Sequence, residues 1–144
     1  MVMIREAIKS DLAGLSILFE ELIRTKSSIE KMTKIFRYIQ NDESYKLIVA
    51  EQDGEIVGTI MGVLCYDLVG ECRPFMVIEN VVVANHKRGQ GLGSKLIREI
   101  EDIGKKNEVN YMMFVSEAER IEAHKFYESV GYELDVVQGF KKLL

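Results

Sequence analysis

The sequence has little cysteine, proline or tryptophan, with two, one and none of them in 144 residues. Cys65 and Cys72 are too few for a disulfide framework or a four-thiolate zinc site, so no metal site is expected. No apolar run approaches the ~18 residues of a membrane span. The opening residues, Met-Val-Met-Ile-Arg-Glu, also lack the apolar core of a signal peptide. We therefore expect a cytoplasmic protein without a membrane partner.

The sequence also lacks an excess of positive charge, with 19 Lys and Arg against 23 Asp and Glu and a formal net charge of −4. General nucleic-acid binding needs a basic face that neutralises phosphates, so no nucleic-acid partner is expected. The chain is nevertheless rich in core-forming residues, since 47% are hydrophobic and 29% charged. Without a repeat or a linker, residues 1–144 are expected to form one globular domain.

Hydrophobic spacing predicts a mixed α/β sheet. Helices are predicted over about residues 10–24, 28–39, 92–104 and 118–130, and strands at residues 3–7, 46–51, 55–67, 75–83, 111–115, 132–137 and 140–144. Asp53-Gly54 is expected to form a tight hairpin turn, and Gln138-Gly139 a turn between the last two strands. Gly58 and Gly62 indicate a bulge or a close backbone approach within their strand.

A glycine-rich segment lies where a predicted strand becomes a helix. Gly89, Gly91 and Gly93 stand at every second position, directly after Arg88. Such a loop lets backbone N–H groups point outward at one spot, beside the positive end of the following helix. The pattern therefore predicts a phosphate or pyrophosphate site, to which Arg88 can add a charge-assisted contact.

Two familiar phosphate-binding motifs fit this loop poorly. A P-loop needs Lys followed by Ser or Thr after its last glycine, and Ser94-Lys95 has the reverse order. A dinucleotide fingerprint needs Gly or Ala at its third position, which here falls on Ser94. A nicotinamide-dinucleotide-binding protein is therefore a weak alternative.

The spacing Arg88-x-x-Gly91-x-Gly93 resembles the Q/R-x-x-G-x-G/A motif of the GNAT superfamily of acyl-CoA-dependent N-acetyltransferases. Residues 78–83 resemble the fourth strand of that family, and residues 123–132 resemble its A-x-x-F-Y-x-x-x-G-F/Y element. The resemblance implies a mixed, mostly antiparallel sheet of about seven strands flanked by about four helices. It also implies acetyl-CoA as co-substrate, direct transfer without a metal, and a possible homodimer.

The resemblance assigns most cofactor contacts to the backbone. The pyrophosphate of coenzyme A would rest on the loop amides, and its pantetheine arm would pair with the fourth strand. That strand would also aim a backbone N–H at the thioester carbonyl. Arg120 stands where the family often has an asparagine, and it could instead reach a cofactor phosphate. The implied cofactor-binding residues are Val81, Val82, Val83, Arg88, Gly89, Gln90, Gly91, Leu92, Gly93, Ser94, Arg120 and Phe126.

Attack of an amine on a thioester needs two proton transfers. Tyr127 matches the tyrosine that many family members use as the general acid toward the thiolate. The alternative is that Tyr127 only packs beside Phe126. The stripe Ala123, Phe126, Val130 places Phe126 in the core and Tyr127 at the margin of that helix face.

Glu79 is the candidate general base. Strict strand alternation would place it on the same face as Val77, Val81 and Val83, and an acid in such a β-branched run is unusual unless it is paired or working. The alternatives are a solvated carboxylate, a salt bridge, or a base that acts through water.

The resemblance places the acceptor near residues 24–28 and 66–73. The first range carries the basic residues Arg24 and Lys26 and the second carries the acidic residues Asp67 and Glu71, so charge does not indicate which kind of acceptor binds. The compact chain is most similar to family members that acetylate small amines, such as aminosugar phosphates. A protein or peptide amine and a non-catalytic acyl-CoA-binding or sensing module remain alternatives.

Overall fold

The computed structural model describes all residues 1–144, which divide into two compact units, 1–113 and 114–144. The first unit holds β1 (Val2–Glu6), α1 (Leu12–Ile23), α2 (Ile29–Gln40), β2 (Tyr45–Gln52), β3 (Glu55–Cys65), β4 (Phe75–Val83), α3 (Leu92–Lys106) and β5 (Met112–Met113). The second holds α4 (Ile121–Ser129). This order confirms the first nine predicted elements. None of the four helices is long and apolar enough to span a membrane.

The five strands form one sheet in the order β1-β2-β3-β4-β5. The first four make an antiparallel meander, and β5 joins β4 in parallel. The predicted hairpin turn between β2 and β3 is confirmed, because Asp53 and Gly54 have φ of 52° and 79°. A two-residue turn with positive φ at both central residues has a twist that matches the twist of the flanking strands.

Helices cover both faces of this sheet. On one face, α1 and α2 bury a cluster around Leu15, Phe36 and Val49. On the other face, α3 lies close to β3 at its two glycines. A Cβ at Gly62 would stand 2.9 Å from the side chain of Ile100, and one at Gly58 would stand 3.0 Å from Leu96 Cδ1. The predicted close backbone approach is therefore confirmed, with α3 as the approaching element.

The last two predicted strands, 132–137 and 140–144, do not form, so the sheet has five strands rather than about seven. Asp135 has φ of 60°, which breaks an extended backbone, and Gly139 is not in the left-handed region that a tight turn would need. The apolar side chains of this segment are exposed, at 80% for Val137 and 92% for Phe140. An apolar alternation becomes a strand only when another strand accepts its hydrogen bonds.

Candidate active site

The loop between β4 and α3 is open and rich in free backbone donors. Gly89 and Gly91 both have φ of 79°, a conformation that side chains with a Cβ rarely adopt. A Cβ at either glycine would meet nothing within 4 Å, so the backbone there faces open space. Gly91 is the residue before the first turn of α3, and no side chain caps that turn. The N–H groups at the start of α3 are thus available to an anion.

The other loop residues differ in how they can take part. Gln90 is exposed, whereas Gly93 and Ser94 are half-buried. Leu92 is buried, with its side chain in the core, so any ligand contact there comes from its backbone.

Arg88 is tied to the end of β4. Its Nε donates to the carbonyl of Val83 at 3.4 Å, while its terminal nitrogens make no hydrogen bond within the protein. The side chain is exposed. A free guanidinium end beside uncapped amides and a positive helix end makes a site for a phosphate group.

Strand β4 contains an extra residue, which the sequence did not reveal as a bulge. Asn80 has φ of 55°, and two β4 residues stand opposite Ile60 alone, between the register pairs Thr59–Val82 and Met61–Glu79. This is a β-bulge, a feature common beside active sites. The available signal was an asparagine inside a β-branched run, because asparagine tolerates the left-handed conformation better than most residues.

The bulge corrects the predicted orientation of Glu79. The β3 residues Thr59, Met61 and Val63 stand at every second position, so their side chains lie on one face of the sheet. Their partners on β4, which lie on that same face, are Val82, Glu79 and Val77. The expectation that Glu79 shares a face with Val81 and Val83 is wrong, since one extra residue reverses the alternation beyond it. The face that Glu79 occupies is the one covered by α1 and α2.

Glu79 is exposed and makes no hydrogen bond or ion pair. The structure therefore does not support the salt-bridge alternative. Glu79 is either a solvated carboxylate without a role or a general base.

The outer edge of β4 is largely unpaired with β5. The two strands meet at only two positions, Met76–Met112 and Val77–Met113. From Ile78 to Val83 no β5 residue accepts or donates along that edge. Backbone amide groups on a free strand edge can pair with an extended ligand that carries its own amides. The residues expected to hold the pantetheine arm, Val81 to Val83, lie on this stretch.

In the second unit, Tyr127 lies on α4, and its ring packs against another aromatic ring. The ring is 6% exposed and meets Phe114 edge to face at 4.4 Å between centroids. Phe126 is half-buried, so the expected roles are reversed: Tyr127 is the buried residue of this helix and Phe126 lies nearer its margin. The reason is that Phe114, which lies outside α4, provides the surface on which Tyr127 packs.

The Tyr127 hydroxyl makes no hydrogen bond within the protein. Burial raises the pKa of Tyr127 above its usual value of 10.0, and the positive charge of Arg120 opposes that shift. The phenol is therefore protonated at neutral pH, which is the state that a general acid needs.

Arg120 precedes α4, and its exposed side chain makes no hydrogen bond or ion pair. His124 is already engaged, because its Nε2 lies 3.0 Å from the carbonyl oxygen of Glu117. A histidine held against a backbone carbonyl serves local structure, whereas the guanidinium of Arg120 has no partner within the protein.

The sequence matches the model of the acetyltransferase (GNAT) family over residues 15–132. This chain belongs to the GNAT acetyltransferase family. The resemblance read from the glycine loop is thereby confirmed, and membership makes the protein an acetyl-CoA-dependent acyltransferase.

Solved structures share this GNAT fold. A glucosamine-6-phosphate N-acetyltransferase from Arabidopsis thaliana is 25% identical with a TM-score of 0.87, over 99% of this chain and 98% of that one. A transcriptional regulator from Bacillus halodurans C-125 is 26% identical with a TM-score of 0.92, over 100% of both chains. An aminoglycoside N-acetyltransferase in complex with CoA is 20% identical with a TM-score of 0.83, over 99% of this chain and 95% of that one. Among curated proteins, none is similar enough in sequence to match.

Proposed function

We propose that this GNAT protein transfers the acetyl group of acetyl-CoA to the primary amine of a small molecule, by direct attack of the amine on the thioester. The observation that carries the proposal is the uncapped start of α3 behind Gly89 and Gly91, next to a bulged β4 with a free edge. The first feature suits a pyrophosphate and the second suits an amide-bearing arm. Coenzyme A carries both groups in one molecule.

The donor is proposed to contact three parts of the chain. The loop amides from Gly89 to Ser94 and the free end of Arg88 would hold the pyrophosphate. The edge of β4 at Val81 to Val83 would pair with the pantetheine amides and direct a backbone N–H at the thioester oxygen. Arg120, whose guanidinium is free, would contact another cofactor phosphate, and Phe126 would pack against the arm.

The chemistry then needs one base and one acid. The amine nitrogen attacks the thioester carbon, the C–N bond forms, and the C–S bond breaks from the tetrahedral intermediate. We assign the proton of the amine to the free carboxylate of Glu79, directly or through water. The thiolate receives its proton from the Tyr127 hydroxyl, which is kept protonated by burial of its ring.

The basic side chains of the expected acceptor region suit a small amine that carries an anionic group. Arg24 and Lys26, between α1 and α2, are exposed and without ion-pair partners, so they can hold a phosphate or carboxylate of the acceptor. Arg73 is not free for that role, because it donates to the carbonyls of Glu108 and Val109. An acetyltransferase with 25% identity carries glucosamine-6-phosphate in its name, and aminosugar phosphates are therefore the first acceptors to try.

The test is release of free CoA thiol from acetyl-CoA over a panel of aminosugar phosphates, aminophosphonates, polyamines and lysine peptides. Acceptor-dependent release that is lost in Gly91→Trp supports the proposal. Gly54→Trp is the matched control, because Gly54 has the same φ of 79° and equally open surroundings. Loss in both variants would indicate unfolding and would contradict the assignment of the loop.

A non-catalytic acyl-CoA-binding module is the alternative function, which membership of an acetyltransferase family disfavours. Calorimetric titration with CoA separates the two functions. A chain that binds CoA but releases no thiol with any acceptor would support the module, and a chain that does neither would contradict both. A protein amine as acceptor is distinguished by lysine peptides in the same panel. A cytoplasmic location and a homodimer stay predictions from the sequence and the family resemblance.

A further inference from the structure

The entry turn, Asn85–Lys87, leads from β4 into the phosphate-binding loop and begins without a local cap. The residue before it is Ala84, which has no side-chain acceptor, so the first N–H of the turn has no nearby partner in sequence. A protein acceptor for this N–H would hold the direction in which Arg88 and Gly89 leave the sheet, which a water molecule would not do.

Glu21 supplies the missing acceptor from a distant element. It lies on the last turn of α1, is half-buried, and its Oε2 accepts the N–H of Asn85 at 3.0 Å. Sixty-four positions separate the two residues, so only the tertiary structure joins them. A carboxylate that accepts from a backbone N–H makes one of the stronger kinds of protein hydrogen bond.

A second carboxylate approaches the same turn from the β2–β3 hairpin. The Oε1 of Glu55 lies 3.0 Å from Nε2 of His86, but these side chains are 52% and 58% exposed. Exposed pairs of this kind contribute little. Glu21 is therefore the stronger of the two supports, and it connects the helix on the acceptor side to the cofactor loop.

We infer that Glu21 is a positioning residue for the acyl-CoA phosphate site: it fixes the entry turn and so keeps Arg88 and the loop amides aimed at the pyrophosphate. The inference rests on the proposed function, since it assumes that the loop binds that group. Glu21 itself is negative and would not contact the phosphates. It acts through the backbone of Asn85.

The test compares two donors. Glu21→Ala is expected to raise KM for acetyl-CoA by about 5- to 10-fold, the effect of one lost hydrogen bond, while kcat changes less than twofold. S-acetylpantetheine has no pyrophosphate, so its kcat/KM is expected to stay at the wild-type value. Glu21→Gln retains an oxygen acceptor without charge and is expected to fall between Glu21→Ala and wild type.

Glu20→Ala is the matched control, because Glu20 is the exposed neighbour on α1 and its carboxylate has no partner. It should behave as wild type with both donors. Equal losses with acetyl-CoA and S-acetylpantetheine in Glu21→Ala would overturn the inference, since they indicate general damage. An unchanged or lower KM for acetyl-CoA would also overturn it, and a lower KM would mean that Glu21 only repels phosphate.

Titration with CoA separates this inference from the proposed function. If Gly91→Trp abolishes CoA binding and Glu21→Ala leaves Kd unchanged, the phosphate site stands and the positioning role is overturned. If wild type binds CoA without turnover, a 5- to 10-fold higher Kd in Glu21→Ala still supports the role. Wild type that binds no CoA overturns both.

Discussion

Replacing Tyr127 by phenylalanine removes one oxygen and leaves the packing in place. The ring meets Phe114 at 4.4 Å and Phe126 at 5.4 Å, and phenylalanine can keep both contacts. The hydroxyl makes no hydrogen bond within the protein, so its removal leaves no buried partner unsatisfied. We therefore expect the free energy of unfolding to change by less than about 0.5 kcal/mol.

The effect on catalysis should be much larger. Proton donation by a positioned side chain contributes about 10²- to 10⁴-fold, which corresponds to about 3 to 5 kcal/mol of activation free energy. If Tyr127 is the only proton donor to the thiolate, kcat of Tyr127→Phe should fall by about that factor. KM for acetyl-CoA should stay within about twofold, because the loop proposed to bind the phosphates is unchanged.

Dependence on pH gives an independent check. Since burial raises the pKa of Tyr127 above 10.0, the acid form persists through neutral pH and is lost only as pH rises past that raised value. Wild-type kcat should therefore fall on the alkaline side. Tyr127→Phe should lack that fall.

The assay is initial-rate thiol release with the best acceptor from pH 6 to about 11.5, with a no-enzyme blank at each pH, beside urea unfolding of each variant. Tyr111→Phe is the matched control, since Tyr111 also packs by its ring, stacked on Phe75 at 5.4 Å, and lacks a hydrogen-bonded hydroxyl. A Tyr127→Phe enzyme with kcat within twofold of wild type would refute the role of Tyr127. A loss of equal size in Tyr111→Phe would refute the interpretation that the effect is chemical.

Three further predictions concern single side chains. Glu79→Gln should lower kcat by about 10²-fold at neutral pH; a kcat within twofold of wild type would contradict its role as base. Asp11→Asn should lower the free energy of unfolding by about 1–3 kcal/mol in urea, because buried Asp11 pairs with Arg5 at 2.7 Å, while Arg5 keeps its contact with Glu51. Arg5 lowers the pKa of Asp11, so this stability is present above the unfolded pKa, is lost as pH falls through the folded pKa, and should be missing from the variant. Gly62→Ala should destabilise by about 1–3 kcal/mol, because its Cβ would stand 2.9 Å from Ile100; a neutral urea midpoint would contradict the tight approach.

Much of the candidate site could be predicted from local sequence. The open glycine loop between β4 and α3 was predictable because glycine adopts φ near 79° with little strain. Its position between a β-branched run and an amphipathic helix follows from the periods of those two elements. Arg88 and Tyr127 were predictable by resemblance to the GNAT family. The side chain of Tyr127 was placed wrongly, because its burial depends on Phe114, outside the helix that the periodicity describes.

The sequence by itself determined the order of the first nine elements, the hairpin at Asp53-Gly54 and the family. Each of these depends on neighbours within a few positions, where backbone preference and side-chain period act directly. The tertiary structure alone decided the face of Glu79, the hydrogen bond from Asn85 to Glu21, and the loss of the two final strands. Those features depend on which backbone groups form hydrogen bonds with residues far away in the sequence. Hydrogen bonds between residues far apart in sequence are settled by packing and register, and a local pattern does not contain them.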